Sequence, residues 1–344
     1  MSKLRILAVM VCLAAGVSYN AFSQTPPVSR KPLPVAKPEP PLLPELPPLP
    51  AGRDTIEKAI AVDANVSVQL PCINEARVTV NGWKRNELRI FIRNGTGVGF
   101  KVHEKDPKSG KPNWVVVRGG RGAASPMPEC ISGERIDIEV PVGAYLSIKG
   151  RETEIAIDTV KKVEIKNLGG KVSLRNISGG IDAQTFEGDV AVENSSGQIS
   201  LVTSSGNIIA AEVGPGEVGD VFKARTSAGA ITLQSVDHRQ IEANSVSGQV
   251  VFRGKFLSGG IYSFKTSDGA MRFVIPKEAS CRVVAWYGYG AIDSEIPMKV
   301  LTRDVYEGGK SLRATIGDGD ATLNLTTNRG RIMIQKDPKV PDLP

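Results

Sequence analysis

"GGKVSLRNISGGIDAQTFEGDVAVENSSGQISLVTSSGNI", residues Gly169 to Ile208, places a glycine at 170, 179, 188, 197 and 206, one every nine residues. Two and four places after each glycine the residue is aliphatic: Val172 and Leu174, Ile181 and Ala183, Val190 and Val192, Ile199 and Leu201, Ile208 and Ala210. The positions between, as in Lys171, Ser173 and Arg175, are mainly polar. This is the period-two pattern of a strand with one buried face. Each nonapeptide then holds one short strand and one turn.

A second period decides how the units stack. The sixth position after glycine reads Asn176, Thr185, Asn194, Thr203, so residue type alternates between neighbouring units and repeats every eighteen residues. In a solenoid with two strands per coil, residues eighteen apart lie above one another, and stacked Asn side chains can hydrogen-bond as a ladder. The turns "NISGG", "NSSG" and "TSSG" suit the corners, because glycine reaches positive φ and Ser or Asn bonds back to the local backbone. The predicted fold is all-β: a β-solenoid, parallel β-helix or β-roll in type, with about two strands per coil in its central part. Low aromatic content, 5%, and abundant Val, Ile, Ala and Leu agree with pleated strands. A single unit buries too little to stand alone, so stacking is obligatory.

The cadence continues at "SAGAITL" (227–233), "VSGQVVF" (246–252), "SDGAMRFVIP" (267–276) and "NRGRIMI" (328–334), with insertions "EVGPGEVGDV" (212–221) and "LTRDVYEGG" (301–309) expected to bulge as loops. Upstream, "VSVQLPC" (66–72), "ARVTVNGWKRNELRIFIRNG" (76–95), "NWVVVRGG" (113–120) and "RIDIEVPVGAYLSIKG" (135–150) are strand-like but irregular. They read as wider first coils with a cap, a separate small β domain being the alternative. Asn81-Gly82 in "NGWKRN" signals a hairpin or coil-corner turn. Lys3 and Arg5 ahead of the apolar run Ile6 to Val17, with Ala21 and Ser23 before Gln24, read as a cleaved signal peptide over 1–23. "TPPVSRKPLPVAKPEPPLLPELPPLP" places a proline-rich spacer over 24–52, extended at about 3.1 Å per residue. The remaining bounds are N-terminal coils and cap over 53–150, repeats over 151–336 and a tail over 337–344.

The run "VPVGAYLSIKG", the recurring "SG-x-[IV]" units, the opening "RVTVNGWKRNELRI" and the closing "GDGDATLNLTTNRGRIMI" resemble the bacterial putative-adhesin family of β-strand repeats, across roughly residues 58 to 335. The resemblance implies an exported β-solenoid with no catalytic centre assigned to the family.

Residues that carry chemistry are sparse. His103 and His238 are the only histidines, neither beside a second ligand at metal spacing, and His238 in "SVDHRQ" reads as a solvated loop residue. The corners carry Ser and Asn with too few carboxylates for repeated calcium sites, and Asp318 and Asp320 read as a plain solvated turn. No metal or cofactor is expected. Asp182, Asp189 and Glu193 are scattered, so no catalytic carboxylate pair can be nominated. Trp286, Tyr287 and Tyr289 are the ligand-face candidates, since such rings stack on sugars, although alternation also suits them to core or cap packing. In an oxidising envelope Cys72 and Cys130 can pair and brace the cap, leaving Cys281 single in "SCRVVAW"; other pairings stay open.

The formal net charge of +7 drops to +5 once Lys3 and Arg5 are removed, and it is spread evenly, which argues against nucleic acid as a partner. Together these features predict an exported protein of the periplasm, cell surface or medium. Its expected role is adhesin-like or structural, non-catalytic, binding a surface glycan or an envelope protein. The alternative is a polysaccharide-active enzyme on a β-helix scaffold.

Overall fold

The structure, a computed structural model, describes residues 55–120 and 129–338. The segments read as signal peptide and proline-rich spacer, and all but the first two residues of the tail, lie outside the described residues. The described residues belong to one compact unit. Its described part contains 27 strands and no helix.

Successive strands in the centre alternate between two parallel sheets, here sheet I and sheet II. In sheet I, Val172, Val190, Ile208, Ile231, Val250 and Met271 stand in register on successive strands. In sheet II, Val163, Ile181, Ile199, Phe222, Ile241 and Tyr262 do the same. The first steps, Val172 to Val190 to Ile208 and Ile181 to Ile199, are the eighteen residues read from the sequence. These side chains are buried between the two sheets, each worth about 1.5–3 kcal/mol by removal from water. Coils after Ile199 are longer, with Ile199 pairing Phe222 and Ile241 pairing Tyr262. Aromatic rings fill the widened core there: Phe264 meets Phe273 edge-on at 4.9 Å and Phe252 at 5.4 Å.

Nine-residue spacing alternates between two corners, with Gly170, Gly188 and Gly206 stacked at one and Gly180 and Gly197 at the other. The first column continues through Gly229, Gly248 and Gly269, where the coils pack so closely that a Cβ on Gly248 would lie 1.9 Å from the Gly229 carbonyl oxygen. Beside it runs an inward column of Thr203, Thr226, Ser245 and Thr266, whose hydroxyls donate to the carbonyls of Gly188, Gly206, Gly229 and Gly248 at 2.9–3.1 Å. Buried carbonyls left by the tight corner are thereby satisfied. The alternate members of the eighteen-residue pattern face outward. Asn194 Nδ2 donates to Asn176 Oδ1 at 2.6 Å, and Asn176 Nδ2 donates to Asp158 Oδ1 at 2.7 Å. Asn176 and Asn194 both take positive φ, 56° and 45°, a conformation that Asn tolerates better than most residues.

Both ends depart from sequential order. Near the C-terminus, strand Ala321–Thr327 sits in sheet II between Ile261–Thr266 and Cys281–Trp286, while Arg331–Lys336 sits in sheet I between Met271–Ile275 and Ala291–Ser294. The chain therefore skips one level, builds the next, and returns to occupy the level it left. Near the N-terminus, Ser67–Asn74 lies in sheet II between Pro112–Gly119 and Tyr145–Arg151, and Arg77–Trp83 lies in sheet I between Ile131–Pro141 and Glu154–Asp158. The irregular N-terminal region thus continues the same two sheets. Asp337, assigned to the tail by sequence, is held by Arg253 at 2.7 Å.

Two expectations are corrected. Asn81 and Gly82 are not a turn but part of strand Arg77–Trp83, in register with Glu139 and Val140. A Cβ on Gly82 would lie 1.6 Å from the Thr159 carbonyl oxygen, so the glycine serves close approach and the chain bends after it, at Lys84–Asn86. The insertion 301–309 is not a loop. Lys299–Tyr306 and Gly309–Ile316 form an antiparallel hairpin that extends sheet II, because "KVLTRDVY" has enough β-branched and aromatic content to pair once a neighbouring edge exists.

Candidate binding surfaces

Strand register sets the outward side chains of sheet II in rows. At its N-terminal end Trp114, Ser67 and Tyr145 stand side by side on three adjacent strands, with Lys162 next in line. At about 4.8 Å between strands, the two rings lie about 10 Å apart across the small Ser67. Trp114 is 36% exposed and stacks on His103 with ring centroids 4.9 Å apart. Tyr145 Oη donates to Glu164 Oε2 at 2.8 Å, and Lys162 Nζ lies 5.8 Å from the Tyr145 ring centre. Partial burial, with the Glu164 carboxylate close by, pushes the Tyr145 phenol up to about 12. The same hydrogen bond, followed by one from Lys166, holds Glu164 below the usual carboxylate range.

One row further along, register puts Glu164 beside Asp182. This is the carboxylate pair that could not be nominated from sequence, because its members belong to different coils. The hydrogen bonds from Tyr145 and Lys166 favour the ionised form of Glu164, which accepts hydrogen bonds from its surroundings. A shallow hollow of about 370 Å³ adjoins the pair, lined also by Tyr145, Lys162, Gln198 and Ser200.

Other concavities, two of them larger, are found among the described residues. A groove of about 540 Å³ runs over sheet I, floored by Ala156, Ser173 and Ala191 and flanked by the Arg175–Asp158 pair at 2.7 Å. A hollow of about 730 Å³ lies at one corner between loops 215–220 and 254–260. Of the aromatic residues singled out from sequence, Tyr289 is 71% and Trp286 39% exposed, whereas Tyr287 is buried. Asp318 and Asp320 are exposed, and no group of three metal-ligating side chains is formed among the described residues.

His238 is not a solvated loop residue. It is fully buried, its Nε2 lies 2.9 Å from the Gly197 carbonyl oxygen, and its ring packs 5.8 Å from Phe222. The bulging loop 215–220 leaves a space at the corner that the imidazole fills, a three-dimensional reason that the local string "SVDHRQ" does not carry. Burial pushes its pKa below 6.5, against the smaller opposing effects of Gly197, Asp220 and Asp237. The ring is therefore neutral in the fold and gains a proton more readily once unfolded. Its contribution is complete above pH 6.5 and is lost as pH falls through 6.5 toward the lower folded value, by up to about 1.4 kcal/mol per pH unit. Denaturant titrations at pH 7.5 and 5.0 are expected to show this loss, and His238→Gln to reduce it.

Cys72 and Cys130 form a disulfide. Cys281 is free and buried, and burial pushes its thiol up to about 12.

No family model and no curated protein matches the chain. Among solved structures, it is similar to a putative adhesin from Parabacteroides merdae at 12% identity and TM-score 0.40, over 64% of this chain and 89% of the other. It is also similar to a putative adhesin from Bacteroides fragilis at 11% identity and TM-score 0.38, over 82% and 97%. A putative cell adhesion protein from Clostridium sporogenes is 12% identical with TM-score 0.22, over 82% and 100%.

Proposed function

We propose that this chain is an exported, non-catalytic, adhesin-like protein that binds a surface glycan or protein through the outer face of sheet II. The observation that carries this reading is the in-register row of Trp114, Ser67 and Tyr145. It sets two aromatic platforms on a rigid face, next to the hydrogen-bonding groups of Glu164, Asp182 and Ser200. Aromatic faces with flanking carboxylates and amides offer stacking together with hydroxyl recognition. Stacked coils fix the spacing of such groups, so many weak contacts add without reordering the protein.

Binding of the purified protein to arrayed bacterial polysaccharides and immobilised envelope proteins tests the proposal. Trp114→Ala is expected to weaken retention about tenfold, corresponding to about 1.4 kcal/mol, with an unchanged melting temperature. Retention indifferent to Trp114 and Tyr145 removes this face from consideration. The Glu164–Asp182 pair supports one other reading, a polysaccharide-active enzyme. Turnover of a polysaccharide that disappears in Asp182→Asn would replace the adhesin assignment.

A further inference from the structure

The corner hollow between loops 215–220 and 254–260 lies where the sheet II strands begin at Gln240 and Ile261, several strands away from Trp114 and Tyr145. Regular coils close this corner with glycine against glycine, as where Gly197 meets Gly180. Here two coils carry extra residues, and the loops rise on either side of the intervening corner, Asp237 to Gln240. Insertions on one face of a repeat stack commonly build its binding surface.

The walls are apolar. Val218 projects fully into solvent, Ile261 is 53% exposed, and Leu257 lines the hollow with them. The polar lining is acidic: Glu217, Asp220 and Asp237 against one cation, Arg239, in a chain whose formal net charge is +7. Arg239 is already engaged, since its guanidinium donates to the Ser258 carbonyl oxygen. Asp220 is fixed in place by accepting the Gly216 and Glu217 amides on Oδ2 at 2.9 and 2.8 Å. The side-chain carboxylates of Glu217 and Asp237 have no hydrogen-bond or ion-pair partner among the described residues. Buried, neutral His238 supplies no compensating charge. The hollow therefore combines an apolar lining with an excess of negative charge, three carboxylates against one guanidinium.

We propose that this hollow is a docking site for a lysine or arginine side chain of a partner polypeptide. Such a side chain matches both properties, with its methylene stem laid against Val218, Leu257 and Ile261 and its cationic head among Asp220, Asp237 and Glu217. A small divalent ion would use the carboxylates and leave the apolar walls idle, and a neutral sugar would leave the charge unmatched. Charges on the rest of the described surface are mixed, so attraction for a cationic side chain is concentrated where carboxylates outnumber cations.

The test is amide chemical-shift mapping on the full chain, titrated with a tetralysine peptide, a tetraarginine peptide and a tetranorleucine control. The expected result is shifts confined to residues 214–220, 237–240 and 257–261 for the two cationic peptides, diminishing as salt rises. Asp220→Asn combined with Asp237→Asn should weaken this binding at least tenfold, since the amide introduced at position 220 keeps an oxygen for the loop N–H groups while the charge is removed. Val218→Ser, at a fully exposed position where substitution changes stability little, should weaken it two- to fivefold. Shifts scattered over other acidic surfaces, equal shifts with norleucine, or binding unaffected by the double variant would overturn the assignment. So would the same residues responding to calcium or a neutral oligosaccharide and not to the peptides. Trp114→Ala should leave peptide binding unchanged, so the outcome here is separable from that of the sheet II reading.

Discussion

Gly248→Ala should lower the melting temperature by about 5–10 °C, the equivalent of about 3 kcal/mol. The added methyl has nowhere to go, because its position is 1.9 Å from the Gly229 carbonyl oxygen, which is backbone and accepts the Ser245 hydroxyl. Relief requires the two coils to separate, which stretches the hydrogen bonds of both sheets at that level. The control is Gly99→Ala, where a Cβ meets nothing within 4 Å and a change of at most about 0.5 kcal/mol is expected. Thermal melts of both variants followed by circular dichroism decide the matter. Equal melting of the two would mean that coil spacing is looser than the glycine column implies.

Removal of the Cys72–Cys130 bridge is the second large effect. The half-cystines are 58 residues apart in sequence, and the chain-entropy treatment assigns closure of such a loop about 4 kcal/mol. The bridge lies where Ile73 pairs with Ile131, at the irregular end of sheet II. Its loss should therefore act locally. In hydrogen exchange, Cys72→Ala/Cys130→Ala should deprotect Ser67–Asn74 and Pro112–Gly119 while strands from Ile181 to Thr327 keep their protection. Repeat stacks unfold in such segments when coupling between neighbours is finite. Uniform deprotection would show instead that the whole stack melts as one cooperative unit.

The centre of the fold is legible in the sequence because its interactions are local and periodic. Val172 and Val190 announce their inward direction by alternation, and the recurrence of Asn176 at Asn194 announces the eighteen-residue coil. The order of levels at the ends is not legible. Alternation tells which face of Ala321–Thr327 is buried, but any exposed parallel edge of suitable length could receive it, and the choice depends on the hairpin Lys299–Ile316 covering the level beyond. Gly82 misleads for a related reason, since a glycine required by the distant Thr159 carbonyl looks locally like a turn. The candidate surfaces share this non-local origin. Trp114 and Tyr145 belong to separate strands joined through Ser67, and the corner hollow needs two loops from different coils. The Cys72–Cys130 bridge is intermediate: the sequence offers that pairing among Cys72, Cys130 and Cys281 but leaves others open, and the strand neighbours decide it.

The returning strands Ala321–Thr327 and Arg331–Lys336 make the order of assembly differ from the order of the sequence. Residues 281–316 emerge before 321–336 during synthesis, so the stack holds an open slot until 321–336 arrive. A chain truncated before residue 321 would carry that vacancy permanently, bounded by unpaired edges in both sheets that invite intermolecular pairing. Insertion of Ala321–Thr327 and Arg331–Lys336 closes that slot, so the far C-terminal level is locked in place by strands that follow it in sequence.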